Sequence, residues 1–143
     1  MNPGGSLLRV VLDTNVLFSA LALRKDSPPF RILELARDGK IVAVVSPFIL
    51  AELERNLREK AGWELAPLVD LRRKLKGFLT LVETRSRVTV IKRVVADNRI
   101  LECVVDAGAH VLITGDKKDI RPLGTFGGAK ILTPREFLDE YFE

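Results

Sequence analysis

Four carboxylates lie where apolar segments of the chain end or turn. Asp13 follows the run RVVL, Asp97 opens the run DNRILECVV, and Asp116 follows HVLITG. The fourth, Glu52, lies inside SPFILAELE. Ligands of an open α/β sheet bind outside the carboxyl ends of its strands, so acids brought there from separate segments can converge on one divalent cation. The pattern therefore predicts a metal site built from these four side chains.

Each of these acids also has a purely structural interpretation. An Asp directly before a helix is a good N-cap, because its carboxylate accepts hydrogen bonds from the free N–H groups of the first turn. The helix face favours a functional role for Asp97, which at about 100° per residue points with the apolar Leu101. Glu102 and Asp106 fall on the far side of that helix. Glu52 lies at the edge of an apolar helix face, so a solvated side chain and a site residue both stay open for it.

The length and composition indicate a protein of ordinary globular type. With 143 residues, of which 47% are hydrophobic, we expect a single domain over residues 1–143, with residues 1–6 as a flexible lead-in. The chain has one cysteine, Cys103, so an intramolecular disulfide is impossible. The apolar run LLRVVL is too short for a signal segment or a membrane span. We therefore expect a cytoplasmic protein without membrane association.

Strand-like and helix-like segments alternate along the chain. Strands are predicted at residues 8–12, 41–45, 88–91, 110–114 and 129–132. Helices are predicted at residues 16–23, 30–37, 47–60 and 65–81, from Asp97 onward, and after Thr133. The last helix opens with Thr133-Pro134-Arg135-Glu136, a capping box with Pro at the first helical position. This alternation predicts an α/β fold with a central, mainly parallel sheet covered on both faces.

Four segments of the chain resemble the PIN-domain ribonucleases, in particular the small prokaryotic toxins related to VapC. They are VVLDTNVLFSAL, VVSPFILAELE, DNRILECVVDAGAHVLITGDKKDI and KILTPREFLDEYF, in the order of the family. Residues 61–93 match no motif of the family. The resemblance implies a three-layer α/β/α PIN-like domain that hydrolyses RNA phosphodiester bonds with one or two Mg²⁺ or Mn²⁺ ions.

The resemblance also implies roles for individual residues. The four catalytic acids of the family fall on Asp13, Glu52, Asp97 and Asp116. We expect three of them, the aspartates, to bind the metal, and the glutamate to orient a water or complete a second ion. Supporting positions fall on Asn15, Thr114, Asp119 and Glu102. The turn before Asp119 has one residue more than the commonest family version, and the helical direction of Glu102 argues against direct metal binding.

The charge balance and the resemblance together suggest partners. The net charge is +4 and the sequence pI is about 9.5, which favours a polyanionic partner. The densest basic run consists of Arg72, Arg73, Lys74 and Lys76, which we expect to contact RNA phosphates. A solvated helix face, or the rim of a dimer or antitoxin surface, is the alternative. A toxin of this family is held by a cognate antitoxin and often forms a homodimer.

Other classes of protein fit less well. The segment Asp13-Thr14-Asn15 lacks the second Asp of a phosphoaspartyl phosphatase, and the glycine-rich segment 124–128 lacks the Lys-Ser or Lys-Thr ending of a P-loop. The single histidine, His110, precedes a buried strand and is interpreted as structural. The serious alternative to a nuclease is a non-catalytic PIN-like domain that binds RNA or a partner protein.

Overall fold

The computed structural model describes residues 7–23, 26–115 and 118–142. The lead-in of residues 1–6 and the candidate ligand Asp116 lie outside these ranges. The strands are β1 (Arg9–Leu12), β2 (Val42–Val45), β3 (Thr80–Leu81), β4 (Val111–Ile113), β5 (Thr125–Phe126) and β6 (Ala129–Leu132). The helices are α1 (Thr14–Ala22), α2 (Pro28–Arg37), α3 (Pro47–Ala61), α4 (Leu65–Lys76), α5 (Asp97–Ala107) and α6 (Pro134–Tyr141), with a 3-10 turn at Arg121–Leu123.

The strands form one sheet in the order β3-β2-β1-β4-β6-β5. All neighbouring strands are parallel except β5 and β6. In the centre, Val11 of β1 pairs with Val44 on one side and with Leu112 on the other, and all three side chains are buried. The helices complete a three-layer α/β/α arrangement, in which α1 packs against α2 and α3 while α5 packs against β1 and β2. The predicted fold class is confirmed.

The helix predicted at residues 65–81 is shorter than expected. It ends at Lys76, and Gly77 forms its C-terminal cap. Glycine is a poor helix former because its backbone loses the most conformational freedom on ordering. The chain then forms β3, which pairs with the second half of β2. The apolar residues after Gly77 therefore lead into β3 and do not continue α4.

The strand predicted at residues 88–91 is absent. These residues belong to an extended stretch, residues 85–92, which we call the α5-bound segment. Three polar side chains on α5, spaced four residues apart and hence on one face, bind its backbone. They are Asn98, Glu102 and Asp106, and their partners are Ile91, Val88 and Ser86. The backbone donors and acceptors lie 2.9 to 3.0 Å from these side chains. The prediction was wrong because hydrogen bonds to side chains here replace those to a neighbouring strand.

The predicted start of α6 is confirmed in detail. The hydroxyl of Thr133 accepts a hydrogen bond from Glu136 N at 3.2 Å, and the Glu136 carboxylate accepts one from Thr133 N at 2.9 Å. These reciprocal bonds satisfy two N–H groups that a helix start otherwise leaves without partners. Across the ranges given above, no helix has both the length and the apolar character needed to cross a membrane.

Candidate functional site

Asp13 lies at the carboxyl end of β1 and is the N-cap of α1. Its side chain is buried, with 6% exposure. One carboxylate oxygen, Oδ1, accepts a hydrogen bond from Thr14 N at 2.7 Å, and Oδ2 accepts one from Thr114 Oγ1 at 2.7 Å. A carboxylate offers about four acceptor sites. These two bonds orient the group and do not exhaust its capacity to bind a cation.

Glu52 is joined to Asp13 through the residue between them in space, Thr14. The Thr14 hydroxyl donates a hydrogen bond to Glu52 Oε1 at 2.7 Å, while its backbone N–H binds Asp13. The other Glu52 oxygen, Oε2, lies 3.8 Å from the Arg55 guanidinium. The start of α1 and the second turn of α3 therefore bring two of the predicted acids together. The sequence analysis missed Thr14, whose signal is a hydroxyl directly after Asp13 at the start of α1.

Asn15 and Thr114 connect the end of β4 to the start of α1. The Asn15 side-chain oxygen accepts a hydrogen bond from Gly115 N at 3.2 Å, and Thr114 binds Asp13 as described. Thr114 is fully buried. The backbone of Asp13 also donates to Ile113 O at 3.0 Å. These bonds fix the position at which the chain leaves β4 toward Asp116; the supporting role expected for Asn15 and Thr114 stays a prediction.

Asp97 is the first residue of α5 and is half-buried. The direction of α5 shows which edge of the sheet it occupies. The Cys103 thiol is hydrogen-bonded to Ser46, which directly follows β2, and Gly108 O accepts bonds from the side chain of Arg9, the first residue of β1. The helix therefore runs antiparallel to these strands. Asp97 lies six residues, about 9 Å, beyond Cys103 toward the carboxyl edge, where Asp13 also lies.

Asp119 is bound to Arg93 by two hydrogen bonds, of 3.2 and 2.7 Å. The Asp119 side chain is 12% exposed, whereas that of Arg93 is 61% exposed. This ion pair connects the loop after β4 to the stretch that precedes Asp97. Arg93 was not identified from the sequence, because an arginine in an irregular segment carries no periodic signal. Asp119 is thus bound to a cation of the protein itself.

Glu102 points away from Asp97, as the helical geometry predicts, but it is not exposed. Its side chain is buried, accepts the Val88 N–H at 3.0 Å and lies 2.8 Å from the Arg99 guanidinium. Asp106, also expected on the far side, accepts hydrogen bonds from the backbone of Arg85 and Ser86. The far side of α5 is covered by the α5-bound segment. The described contacts of Glu102 are therefore structural.

The chemistry of the donors at the carboxyl edge suits a hard cation. The only histidine, His110, lies at the opposite edge, where its Nδ1 accepts the Arg9 N–H at 2.9 Å. The only cysteine, Cys103, is buried, and burial raises the pKa of its thiol to about 12. Only oxygen donors remain near Asp13, and Mg²⁺ and Mn²⁺ prefer such donors. In the part of the chain that the structure describes, which excludes Asp116, no three acidic, His or Cys side chains form a complete metal-binding group.

Comparison with known proteins now identifies the fold family. A family model described as PIN domain matches residues 9–118. The chain belongs to the PIN-domain family. An uncharacterized protein of Methanocaldococcus jannaschii is 30% identical over 146 aligned positions, covering 94% of this chain and 92% of the relative. The family assignment agrees with the resemblance carried by the sequence motifs.

Solved structures share this PIN-domain fold. One is the structure of VapBC2 from Rickettsia felis, bound to a DNA fragment from the VapBC2 promoter. It matches this chain with a TM-score of 0.60 and 16% identity. The match covers 87% of this chain and 97% of the chain in that structure. Mycobacterium tuberculosis VapC20, described as a Sarcin-Ricin loop cleaving toxin, matches with a TM-score of 0.57 and 14% identity. That match covers 85% of this chain and 98% of VapC20. The structural relatives of this PIN domain thus include VapC toxins.

The basic run predicted to contact RNA lies on the second half of α4 in this PIN domain. Arg72 donates two hydrogen bonds to Glu54 of α3, and both Arg73 and Lys74 pair with Asp70. These two cations lower the pKa of the Asp70 carboxyl. Three of the four cations, all exposed, therefore already have an acidic neighbour. The RNA role of this run stays a prediction.

Proposed function

We propose that this PIN-domain protein is a Mg²⁺- or Mn²⁺-dependent ribonuclease. The observation that carries the proposal is the hydrogen-bonded group of Asp13, Thr14 and Glu52 at the carboxyl edge of the sheet, with the start of α5 directed to the same edge. Burying a carboxylate costs free energy unless it is paired, hydrogen-bonded or bound to a metal. The Asp13 carboxylate is buried at the position where the family motif DTN begins, and hydrogen bonds from Thr14 and Thr114 hold it there.

The residues have distinct parts in the proposed mechanism. Asp13, Asp97 and Asp116 would hold one or two divalent cations. A bound cation would stabilise negative charge on the scissile phosphate and make water a better nucleophile. Thr14 and Thr114 fix the two carboxylates in place, because a hydroxyl donates to one oxygen of each. Oriented groups of this kind lower the barrier without reorganising during the reaction.

Glu52 is proposed to orient the attacking water. Its Oε1 is occupied by the Thr14 hydroxyl, whereas Oε2 pairs, among the residues that the structure describes, with Arg55 alone, at 3.8 Å. Oε2 can therefore accept a hydrogen bond from water, and the proton that water releases, in the manner of a general base. Arg55 lies on the same helix one turn later.

The biological role proposed is that of a toxin neutralised by an antitoxin. The description of VapC20 as a toxin and the VapBC2 assembly support it. We further propose that the protein acts in the cytoplasm as a homodimer of single-domain chains. Co-expression with the product of the adjacent open reading frame tests the partner. If that product is an antitoxin, it will co-purify with this protein and suppress RNA cleavage.

Cleavage of RNA by the purified protein tests the enzymatic proposal. The wild type should degrade RNA only with Mg²⁺ or Mn²⁺, and Asp13→Asn should not. The alternative is a non-catalytic PIN-like domain that binds RNA or protein. That alternative is correct if RNA binds without being cleaved at any divalent-ion concentration.

A further inference from the structure

An open groove lies between the α5-bound segment and β5, outside the group of acids. Its volume is about 490 Å³, and its walls combine cationic, apolar and aromatic side chains. They are Arg87, Val88, Thr89, Val90, Lys92 and Phe126. None of these residues has a part in the mechanism proposed above. The proposed nuclease site therefore does not account for this groove.

The backbone of one wall is fixed although it has no regular secondary structure. Asn98 binds both the N–H and the carbonyl of Ile91, each at 2.9 Å. Glu102 accepts the Val88 N–H at 3.0 Å, and Arg99 donates to the Val88 carbonyl at 3.2 Å. These bonds hold the main chain of Val88 and Ile91 against α5, so the position of this wall is fixed. A fixed wall loses little entropy when a ligand binds.

The two cations of the groove lack the acidic neighbours that those of α4 have. Within the described ranges, neither Arg87 nor Lys92 forms an ion pair with a carboxylate, and both are exposed. On α4, by contrast, Arg72 is held by Glu54. A cation without an acidic partner in the protein breaks no ion pair when it binds a phosphate. The groove is therefore a more favourable anion site than the basic run on α4.

The opposite wall supplies an aromatic ring. Phe126 is half-buried on β5 and lines the groove. Basic side chains that follow a nucleic-acid backbone, together with aromatic rings on which bases stack, are the common features of single-strand binding surfaces. A duplex keeps its bases stacked on one another, so only an unpaired strand could use such a ring. The groove therefore matches a single strand better than a helix.

One end of the groove lies toward the acids. Lys92 follows Ile91, which is bound by Asn98 in the first turn of α5, and it precedes Arg93, which binds Asp119. Phe126 pairs with Ala129, the first residue of β6, and therefore lies toward the opposite edge of the sheet. The groove thus extends from the carboxyl edge, where the acids lie, along the side of the domain. From Arg87 to Lys92 the extended wall spans at most about 18 Å.

We propose that this groove binds the unpaired part of the RNA strand that extends away from the point of cleavage. Arg87 and Lys92 contact its phosphates, and Phe126 stacks on one of its bases. The inference rests on the proposed ribonuclease function, and it adds a second binding site for the strand outside the group of acids. It also assigns the principal backbone contacts to the α5-bound segment and not to α4.

Binding of a fluorescent single-stranded RNA in EDTA tests the groove separately from catalysis. Arg87→Gln/Lys92→Gln should weaken binding and flatten its salt dependence by about 1.4 logarithmic units, at about 0.7 per lost phosphate contact. Phe126→Leu should weaken binding roughly fivefold or more through lost stacking, with the salt slope unchanged. Thr89→Glu, on the exposed side of the same wall, should also weaken binding and leaves the buried contacts in place.

The matched controls replace two exposed cations with Gln at other surfaces of the protein. Arg58→Gln/Lys60→Gln removes two exposed cations from the last turn of α3, and Arg73→Gln/Lys76→Gln removes two from α4. Both should change the salt slope less than the groove variant does. Wild-type affinity with unchanged slope in Arg87→Gln/Lys92→Gln, or equal binding of double-stranded RNA, overturns the proposal. RNA binding through the groove without cleavage would instead contradict the nuclease proposal and support the groove as an RNA-binding site.

Discussion

The hydroxyl of Thr14 donates a hydrogen bond to Glu52 Oε1 across 2.7 Å. This bond joins the first turn of α1 to the second turn of α3, and the same threonine binds Asp13 through its backbone N–H at 2.7 Å. Thr14 is buried and Glu52 is half-buried, so the bond is partly shielded from competing water. One residue thus sets the relative position of two acids from different parts of the chain.

Thr14→Val removes the hydroxyl and keeps the shape of the side chain. We expect RNA cleavage to fall roughly tenfold, because Glu52 loses the donor that orients it, with about 1 kcal/mol of stability lost. Thr14→Ser keeps a hydroxyl at the same place and should restore most of the rate. Cleavage rates and melting temperatures of the two variants provide the check. An unimpaired Thr14→Val enzyme would show that this bond has no part in positioning Glu52.

Asp13→Asn and Asp97→Asn should each abolish measurable cleavage and weaken Mn²⁺ binding. Stability should be unchanged or higher, since removing one charge from a repelling group relieves it. Asn also caps a helix as well as Asp does, so the start of α1 is preserved. Calorimetric titration with Mn²⁺ and thermal melting measure the two effects. Full activity in purified Asp13→Asn, after controls for contaminating nuclease, contradicts the site.

Glu52→Gln should cut activity strongly at an unchanged melting temperature. Glu54→Gln is its matched control, with the same substitution on the same helix two residues later. Glu54 binds the exposed Arg72, and exposed ion pairs contribute at most about 1 kcal/mol. Assays at one RNA and one metal concentration compare the two. Similar losses in both variants would mean that Glu52 acts only through the packing of α3.

Asp119→Asn should have an intermediate effect on cleavage. Asp119 accepts two hydrogen bonds from Arg93, so the substitution loosens the loop after β4 without removing one of the four proposed acids. Arg93→Gln breaks the same pair from the other side and should have a similar effect on kcat/KM. If Asp119→Asn is as damaging as Asp13→Asn while Arg93→Gln is harmless, Asp119 is a fifth member of the site.

Glu102→Gln should destabilise the fold by about 2 kcal/mol, because it leaves the partly buried Arg99 without its charged partner. Mn²⁺ affinity should be unchanged, in contrast to Asp97→Asn on the same helix. Asp106 is not the inert surface residue expected from the helix geometry, since hydrogen bonds from Ser86 and Arg85 lower its pKa. Asp139, exposed on α6, is the better neutral reference. A loss of Mn²⁺ binding in Glu102→Gln would show that this residue takes part in the metal site.

His110 should make stability depend on pH in the mildly acidic range. Burial and the charge of Arg9 lower the pKa of His110 below its ordinary value of 6.5. Because the folded chain favours the neutral ring, protonation favours the unfolded chain. The contribution of His110 is complete above pH 6.5 and is lost as the pH falls through the folded pKa.

The chain contains one histidine, so NMR titration of its ring gives this pKa directly. His110→Asn keeps an acceptor for the Arg9 N–H and does not titrate. Its melting temperature should therefore fall less between about pH 7 and about pH 5 than that of the wild type. Equal slopes in both proteins would assign the pH dependence to other groups.

The sequence predicted all six helices and the four strands β1, β2, β4 and β6 because each has its own period and its own caps, whereas the two-residue strands β3 and β5 are too short to show a period. It also predicted which edge of the sheet receives Asp13 and Asp97, since that follows from chain direction alone. The α5-bound segment escaped prediction for a physical reason. Its backbone bonds to side chains of a helix that comes later in the sequence, and no local pattern encodes such a partner. The roles of Thr14 and Arg93 depend in the same way on contacts between distant segments.

The two outer strands of the sheet, β3 and β5, contain only two residues each. Long free strand edges allow another chain to add itself to a sheet through main-chain bonds, which are indifferent to sequence. Edges this short offer little main chain for such pairing. A second copy or an antitoxin must therefore recognise side chains on the helices and loops. Recognition through side chains can change with single substitutions, so related proteins in one cell can keep separate partners.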